Sequence, residues 1–407
     1  MKISTKIGST MAAAVLIWLS AAMVVGAQTF RTLEANKPET FKIKAKRDVE
    51  YVINLKPGDL CNITANVPQD VPMVFALNDA AGEPLIKEGD VASGLVFVAE
   101  KAGRYRLMFK WIGDVSETDA AQHNGKEVTV QYSDKLSIAK GAVSKGVRRV
   151  NGYEAKILDE PGDEGNSYFV VEKNGAVKAV SRVQKVIAGG YTFSDDAGDE
   201  IYRNKSAALF RSTPDKTGDG TPDVAIDYFS GGAHCCFSTT FFELGKTVRE
   251  LPTIDTANST LVAIAKRPEG GLRFEFAEQA WYYWTINFAS SPSYAVIYDF
   301  KDDQLVPRFD LMKKPAPTLA ALKRKAVADK AKMNLKAYKD PETNFNDFDE
   351  AFWGEMIHLI YTGHEDLAWT YYDLVWPAKK PGKTKFLADF KDQLSKSAYG
   401  DWKKMGN

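Results

Sequence analysis

Oxygen-bearing side chains alternate along one short loop, "DKTGDGTPD", which runs from Asp215 to Asp223. Such donors converge when a loop curls around a glycine, and hard oxygen ligands suit Ca²⁺. The pattern predicts a calcium loop with side-chain ligands Asp215, Thr217, Asp219 and Asp223. It is not an EF-hand, because the twelfth position, where an EF-hand needs Glu, is Ile226. A solvated Asp-Gly turn without an ion is the main alternative, and a Mg²⁺ or catalytic site is a lesser one.

A glycine-rich corner, "SGGAHCC", follows the next apolar stretch and ends in adjacent cysteines. Zinc sites leave a gap between their cysteines, so Cys235 and Cys236 do not fit that pattern. Ser230 lacks the strand-to-helix context of a hydrolase nucleophile. Two interpretations stay open: a disulfide between the adjacent cysteines, or two reduced thiols on opposite faces of a strand. A bridge to Cys61 and a zinc site with His234 are lesser alternatives.

Aromatic residues are dense in "AWYYWTINF", from Ala280 to Phe288. Alternation along a strand usually reflects packing in the core and across strands. If one face of this strand is exposed, Trp281 and Tyr283, or Tyr282 and Trp284 on the other face, could stack on a sugar or a peptide. The segment therefore predicts core packing first and an aromatic binding face second.

The charge balance excludes one class of function. The chain carries 53 basic and 53 acidic residues. Proteins that follow the phosphates of nucleic acid need a basic excess or stripe. A nucleic-acid partner is therefore not expected.

The first residues have the pattern of a secretory signal. Lys2 and Lys6 precede an apolar run from Met11 to Val25, and a small-residue cleavage site ends at Ala27. The sequence predicts a signal peptide over residues 1–27 and a periplasmic or secreted protein. No later segment is long and apolar enough to span a membrane, so no span is expected after cleavage.

The remaining chain divides by hydrophobic pattern. Short alternating strands separated by turns predict a β-sandwich over residues 28–135 and a second β domain over residues 146–312. Beyond residue 313, apolar side chains recur at helical spacing. Phe352, Met356 and Leu359 share one face of a helix, and Gly363 ends it. The predicted fold class is multidomain and mainly β, with a small all-α C-terminal module over residues 313–407.

Three stretches of the first β domain carry a family likeness: "LKPGDL", "FALNDAAGEPL" and "LVFVAEKAGRYRLMF". Together they resemble the bacterial pre-peptidase C-terminal type of β-sandwich. That resemblance implies an accessory domain of a secreted protein, and it covers residues 28–135.

The acidic loop carries a second likeness. The pattern D-x-T-x-D-G-x-x-D, followed by the strand "VAIDYF", resembles the calcium loops of FG-GAP and VCBS-type repeats. The resemblance implies a structural calcium ion and adds the backbone carbonyl of Thr221 to the ligands. The sequence holds one clear loop, whereas propellers of this kind carry several.

These features favour an exported, non-enzymatic binding or interaction protein of the bacterial cell envelope, with a structural calcium loop. Its expected partner is an envelope protein or a glycan. One alternative is a hydrolase of envelope polymers that uses acidic residues near the loop. Another is a thiol- or metal-handling protein that uses His234, Cys235 and Cys236.

Overall fold

The computed structural model describes residues 31–44, 47–68, 70–90, 94–112, 122–163, 165–185, 189–196, 201–231, 237–332, 350–376, 378–379 and 381–406. The predicted signal peptide lies outside these residues. Mainly antiparallel sheets come first along the chain, and helices follow. The predicted fold class is therefore confirmed.

Two sheets form the N-terminal sandwich. Sheet I has the order β1-β3-β8-β5-β6 and sheet II the order β2-β9-β4-β7. Alternation builds the core between them: in β8, Tyr105, Leu107 and Phe109 are buried, while Arg104 and Arg106, which flank Tyr105, are exposed. The strands are β1 Arg31–Thr32, β2 Glu39–Lys42, β3 Val49–Leu55, β4 Leu60–Asn66, β5 Met73–Asn78, β6 Pro84–Asp90, β7 Leu95–Val98, β8 Gly103–Trp111 and β9 Glu127–Ser133.

Three further sheets follow in chain order. Sheet III has the order β10-β11-β12-β13, and sheet IV has the order β14-β15-β16-β17, with β18 also paired to β16. Sheet V has the order β19-β20-β21-β22. Their strands are β10 Val143–Val150, β11 Tyr153–Asp159, β12 Asn166–Lys173, β13 Ala176–Gln184, β14 Gly190–Phe193, β15 Asp223–Phe229, β16 Phe237–Leu244, β17 Val248–Glu250, β18 Ile254–Ala257, β19 Val262–Lys266, β20 Leu272–Ala277, β21 Ala295–Lys301 and β22 Gln304–Pro307.

One helix interrupts this β region. Helix α1, Ile201–Ser212, was not expected from the sequence, which predicts only strands here. Ala207 and Phe210 are buried on its inner side. The Ser206 hydroxyl accepts a hydrogen bond from the amide of Ala263 at 2.8 Å. Helix α1 therefore packs against β19 and closes one side of sheet V.

The sandwich packs directly on sheet III. A small apolar cluster joins Val96 of β7 to Tyr168, Val170 and Val180 of sheet III. Arg182 of β13 donates to the Asn62 side chain across the same contact, at 3.5 Å. Each of the four clustered side chains is at most 8% exposed, so this contact is dry.

The C-terminal helices follow the predicted pattern. They are α2 Leu319–Lys332, α3 Glu350–Tyr361, α4 Glu365–Val375, α5 Lys383–Ser395 and α6 Ala398–Lys404. Phe352, Met356 and Leu359 are buried on one face of α3. Gly363 has φ +88, a left-handed conformation that ends α3.

The aromatic segment 280–288 is not a strand, and that prediction was wrong. Residues 280–286 form successive turns, and a short 3-10 helix spans Phe288–Ser290. Tyr283 has φ +61 and Thr285 has φ +62, values that no strand allows. Trp281 and Trp284 turn inward, and Tyr283 turns outward.

One large core unites this segment with the helices. Trp281 lies against Trp353 of α3 and Phe390 of α5, with ring centroids 5.9 and 5.2 Å apart. Its indole N–H donates to the Tyr361 hydroxyl at 2.9 Å. The same cluster includes Tyr298 of β21. It therefore takes residues from both sides of the domain limit predicted after residue 312, and the domain limits stay predictions.

Glu278 gives this core a pH dependence. Its carboxylate is buried just after β20 and accepts from the amides of Ala280 and Ala398 and from the Tyr361 hydroxyl, at 3.1, 2.9 and 3.2 Å. Burial raises its pKa above the ordinary 4.5. The native state thus holds the proton more tightly than the unfolded chain. The contribution of Glu278 to stability is fully present below about pH 4.5. It is lost as the pH rises through the pKa that Glu278 has in the native state.

Glu278→Gln is therefore expected to flatten the fall in unfolding free energy as pH rises from about 4.5 toward neutrality. Urea unfolding at a series of pH values measures this. Gln304→Ala, at an exposed position of β22 that carries no titratable group, provides a control and should leave the profile unchanged. A Glu278→Gln profile as steep as that of the unmodified protein would contradict the assignment.

Candidate functional site

The acidic loop, residues 215–223, joins α1 to β15. Asp215 accepts from the amides of Gly218 and Gly220 through its two carboxylate oxygens, at 2.6 and 2.9 Å. Asp219 accepts from the amide of Thr221 at 2.7 Å. These bonds curl the loop, and the calcium ligands stay a prediction.

Asp223 lies at the base of the loop and is 0% exposed. Its Oδ2 accepts from the amides of Lys216 and Thr217, at 2.6 and 3.0 Å, and from the Thr217 hydroxyl at 3.3 Å. Its Oδ1 is buried without a hydrogen-bond partner. Burial raises the pKa of Asp223 to about 7, against the lowering effect of these donors.

A lysine that the sequence analysis did not single out lies beneath the loop. The Lys216 ammonium donates to the carbonyl of Asp223 at 2.5 Å and to that of Pro214 at 3.3 Å. Lys216 is only 7% exposed, and burial lowers its pKa. A protein cation therefore already lies near the Asp223 carboxylate. Its sequence signal is a lysine inside an otherwise acidic loop.

The donor chemistry of the loop fits a hard cation in part. The oxygens are of the type that Ca²⁺ takes, and Asp223 Oδ1 is an orphaned buried acceptor. However, no three acidic, histidine or cysteine side chains among the described residues converge on one metal position. Asp215, Asp219 and Asp223 would hold the ion only if their carboxylates turned inward together.

A cleft of about 310 Å³ opens between sheet IV, sheet V and α1. Strand register aligns a polar row across sheet IV: Thr192 of β14 lies opposite Asp227 of β15, which lies opposite the buried Thr239 of β16. Thr192 and Asp227 form part of the cleft floor. The Asp227 carboxylate accepts from the Ser194 and Thr239 hydroxyls, at 2.8 and 2.7 Å. This polar row lies two residues along the strands from Phe229.

An aromatic pair continues the floor. Phe229 and Phe237 lie opposite each other in β15 and β16, and their rings stack with centroids 4.4 Å apart and planes 17° apart. Gly190 is the cross-strand neighbour of Phe229, and a Cβ at Gly190 would meet the Ser167 side chain at 3.2 Å. Both phenylalanines line the cleft and are partly exposed. Thr260, Leu261 and Val262 form the wall on the sheet V side.

Charged side chains form the rim of the cleft. Asp159 lies 3.8 Å from the ammonium groups of both Lys145 and Lys185. Asp196 pairs with Arg148, which also contacts Asp195. The rim therefore carries acidic groups that are balanced by cations.

The corner with the cysteine pair connects Phe229 to Phe237 along the chain. Its residues 232–236, which include His234, Cys235 and Cys236, lie outside the described residues. The disulfide, thiol and zinc predictions there stay predictions. Cys61, in contrast, is 0% exposed in the sandwich core and free, so the bridge to Cys61 is not formed. Burial raises the pKa of its thiol.

The two residues of the predicted aromatic face are separated by the structure. Trp281 is 0% exposed and Tyr283 is 54% exposed. A sugar or peptide cannot stack on the buried indole, so the pair does not form one face. The reason is the turn conformation, which breaks the alternation expected of a strand. Tyr283 alone stays at the surface, beside the Phe288 ring at 5.6 Å.

Comparisons with known proteins give matches to solved structures that have low sequence identity and cover about a quarter of this chain. No family model matches the chain, and no curated protein matches it. A pre-peptidase C-terminal domain of a collagenase from Bacillus anthracis is 14% identical, with a TM-score of 0.21 over 25% of this chain and 93% of that one. A pre-peptidase C-terminal domain is thus among the similar structures.

PliG, a periplasmic lysozyme inhibitor of g-type lysozyme, also matches. The Salmonella Typhimurium protein is 14% identical, with a TM-score of 0.19 over 25% of this chain and 97% of that one. The Aeromonas hydrophila protein is 10% identical, with a TM-score of 0.19 over 26% of this chain and 97% of that one. These likenesses are too small to carry a function. The FG-GAP and VCBS resemblance stays a prediction.

Helix length and composition bear on the membrane prediction. Within the part of the chain that the structure describes, no helix combines the length and the apolar character that crossing a bilayer requires.

Proposed function

We propose that this chain is an exported, non-enzymatic binding protein of the bacterial cell envelope that holds its ligand in the cleft between sheets IV and V. The cleft itself carries the proposal. Its volume of about 310 Å³ is at the lower end of the range of small-ligand sites. Stacked rings beside a few fixed polar groups are the usual lining of such sites.

The buried carboxyls near the acidic loop favour binding over hydrolysis. A general acid must come within hydrogen-bond reach of its substrate. Asp223, whose pKa is raised, is 0% exposed, and Glu243 opposite it in β16 is 5% exposed. Neither side chain can contact an envelope polymer in this conformation. The raised pKa of Asp223 therefore follows from structural burial.

Thr192→Trp is expected to block the cleft and abolish capture of the ligand from envelope extract of the native host. Thr192 is exposed on the cleft floor, so an indole there fills the space above Asp227 without disturbing the core. Thr64→Trp, at an exposed strand position of sheet II, is the matched control and should capture normally. Equal capture by both variants would contradict the proposal.

A structural calcium ion in the acidic loop is part of the same proposal. Asp215, Thr217, Asp219, Asp223 and the carbonyl of Thr221 would hold it, and the orphaned Oδ1 of Asp223 supports this set. The ion would supply a fixed charge that ties the carboxylates of the loop together. Lys216 is the competing cation, since its ammonium already bonds the carbonyl of Asp223.

Calcium at a hundredfold excess over its Kd is expected to add about 2.7 kcal/mol to the unfolding free energy. Chelation should lower the melting temperature, and Asp219→Ala should abolish the response. Asp163→Ala, in an exposed turn away from the loop, is the control and should keep it. Identical melting curves of the unmodified protein with calcium and with chelator would remove the metal from the proposal.

A further inference from the structure

Positive charge is concentrated in residues 313–332, which lead into helix α2 and form it. This segment holds seven basic residues and one acidic residue, Asp329, in a chain whose charges balance overall. Asp329 is 4% exposed and accepts from the Lys325 ammonium, at 2.8 Å, and from the Tyr371 hydroxyl. The acidic charge is therefore buried in the helical module, and the basic excess lies at its surface.

Six of the seven basic side chains are exposed, and in the part of the chain that the structure describes they form no ion pair. They are Lys313, Lys314, Lys323, Arg324, Lys330 and Lys332. The seventh, Lys325, faces the carboxylates of Asp329 and Glu355, at 2.8 and 3.7 Å. The six uncompensated charges attract negative charge from outside the molecule.

The exposed side chains of α2 form one continuous face. Lys323 and Lys330 are seven residues apart, which is about two helical turns, so they lie in one row along the helix. Val327 follows Lys323 by four residues and Arg324 by three, so it lies between that row and Arg324. We define the basic face by its exposed residues, which are Leu319, Ala320, Lys323, Arg324, Val327, Lys330 and Ala331.

The apolar part of the basic face consists of small side chains. Val327 is 71% exposed and Leu319 is 51% exposed, and α2 contains no aromatic residue. Hot spots of protein interfaces are enriched in Trp, Tyr and Arg that fill pockets of the partner. An interfacial helix needs no such pocket, because it binds through apolar area laid on the bilayer and through attraction to anionic lipids. The composition of the face therefore fits a lipid surface better than a folded protein.

We infer that the basic face of α2 docks this protein on a bilayer that contains anionic lipid. The helix lies parallel to the bilayer, with Val327 toward the headgroups and Lys323, Arg324 and Lys330 beside the lipid phosphates. Long basic side chains suit this position, since their stems cover apolar surface while their charged ends stay in water. The inference does not use the cleft, so it stands or falls independently of the ligand binding proposed above.

The test measures cosedimentation of residues 28–407 with phosphatidylcholine vesicles that contain or lack phosphatidylglycerol. Binding is expected only to the vesicles with phosphatidylglycerol. Raising the ionic strength from about 0.1 M to about 1 M shortens the Debye length from about 10 Å to about 3 Å and should release the protein. Lys323→Gln combined with Arg324→Gln should weaken binding about ten- to thirtyfold, because each basic residue near an anionic surface contributes about fivefold.

A matched control separates the basic face from total charge. Lys178→Gln combined with Lys246→Gln removes the same charge from exposed positions of β13 and of the turn before β17, and should leave vesicle affinity unchanged. Val327→Glu places a carboxylate in the middle of the basic face and should also weaken binding. Every substituted residue is partly or fully exposed, and melting temperatures show that each variant is folded.

Three results would overturn the inference. One is the absence of binding to phosphatidylglycerol vesicles at an ionic strength of about 0.1 M. Another is equal weakening by the two double variants, which would mean that total charge and not the basic face governs the attraction. The third is binding to soluble poly-L-glutamate without binding to vesicles, which would assign the face to an acidic polymer.

Discussion

Trp281→Ala is expected to lower the free energy of unfolding by about 3–5 kcal/mol, the usual cost of truncating a fully buried large aromatic side chain. The indole is 0% exposed and contacts Trp284 and Trp353, with ring centroids 5.4 and 5.9 Å away. Its removal leaves a cavity between sheet V and the helices. It also removes the indole N–H donor to Tyr361. Urea unfolding followed by far-UV circular dichroism measures the loss.

Tyr283→Ala is the matched control, two residues away in the same turn. Tyr283 is 54% exposed, so its truncation should change the unfolding free energy by no more than about 0.5 kcal/mol. Similar losses of unfolding free energy for both variants would contradict a structure in which Trp281 is buried and Tyr283 is exposed. The placement of Trp281 would then be wrong.

Asp223→Ala is expected to cost about 1–3 kcal/mol, because it leaves buried hydrogen-bond donors without their acceptor. The Lys216 ammonium stays buried without the carboxylate whose charge favours it. The amides of Lys216 and Thr217 lose their acceptor as well. The measurement is urea unfolding in the presence of chelator, so that loss of any bound cation does not contribute.

A double variant separates the electrostatic coupling between Lys216 and Asp223 from simple packing. Lys216→Met combined with Asp223→Leu removes both charges and keeps apolar volume, so it should recover part of the loss. Asp163→Ala, at an exposed turn, should cost no more than about 0.5 kcal/mol. A double variant as unstable as the sum of its single variants would show that the two side chains do not interact.

Local patterns predicted much of the fold because they depend on neighbouring residues. Alternation in β8 and the Asn174-Gly175 turn between β12 and β13 depend only on a few adjacent positions. The turn residues have φ +53 and +76, as a tight hairpin requires. The helical spacing of Phe352 and Met356 also predicts a shared buried face, and both side chains are fully buried.

Features that depend on distant partners could not be predicted. Aromatic residues alternate in the segment 280–288 as they would in a strand. The segment forms turns instead, because Trp281 and Trp284 pack into the core shared with the C-terminal helices. Helix α1 is short and polar, with Lys205 exposed, and its buried side depends on sheet V. Tertiary contacts override local preference in both places.

The candidate site also has one part that local sequence predicts and one part that it does not. The spacing of the oxygen-bearing residues predicts that the acidic loop curls. Asp215 accepts the hydrogen bonds that curl it. The cleft could not be predicted, because Thr192 and Asp227 of its floor come together only once β14 pairs with β15. Helix α1 separates these two strands in the chain, and such a register leaves no mark on any short stretch of sequence.

The core that Trp281 and Trp284 share with the C-terminal helices limits where this protein can be truncated or fused to another. A shortened product that ends after sheet V would present two indoles to water, and such surfaces favour aggregation. A helical fragment alone would lack the ring that contacts Trp353. Any C-terminal piece that is transplanted into another protein must therefore keep the segment 280–288 together with α3 and α5.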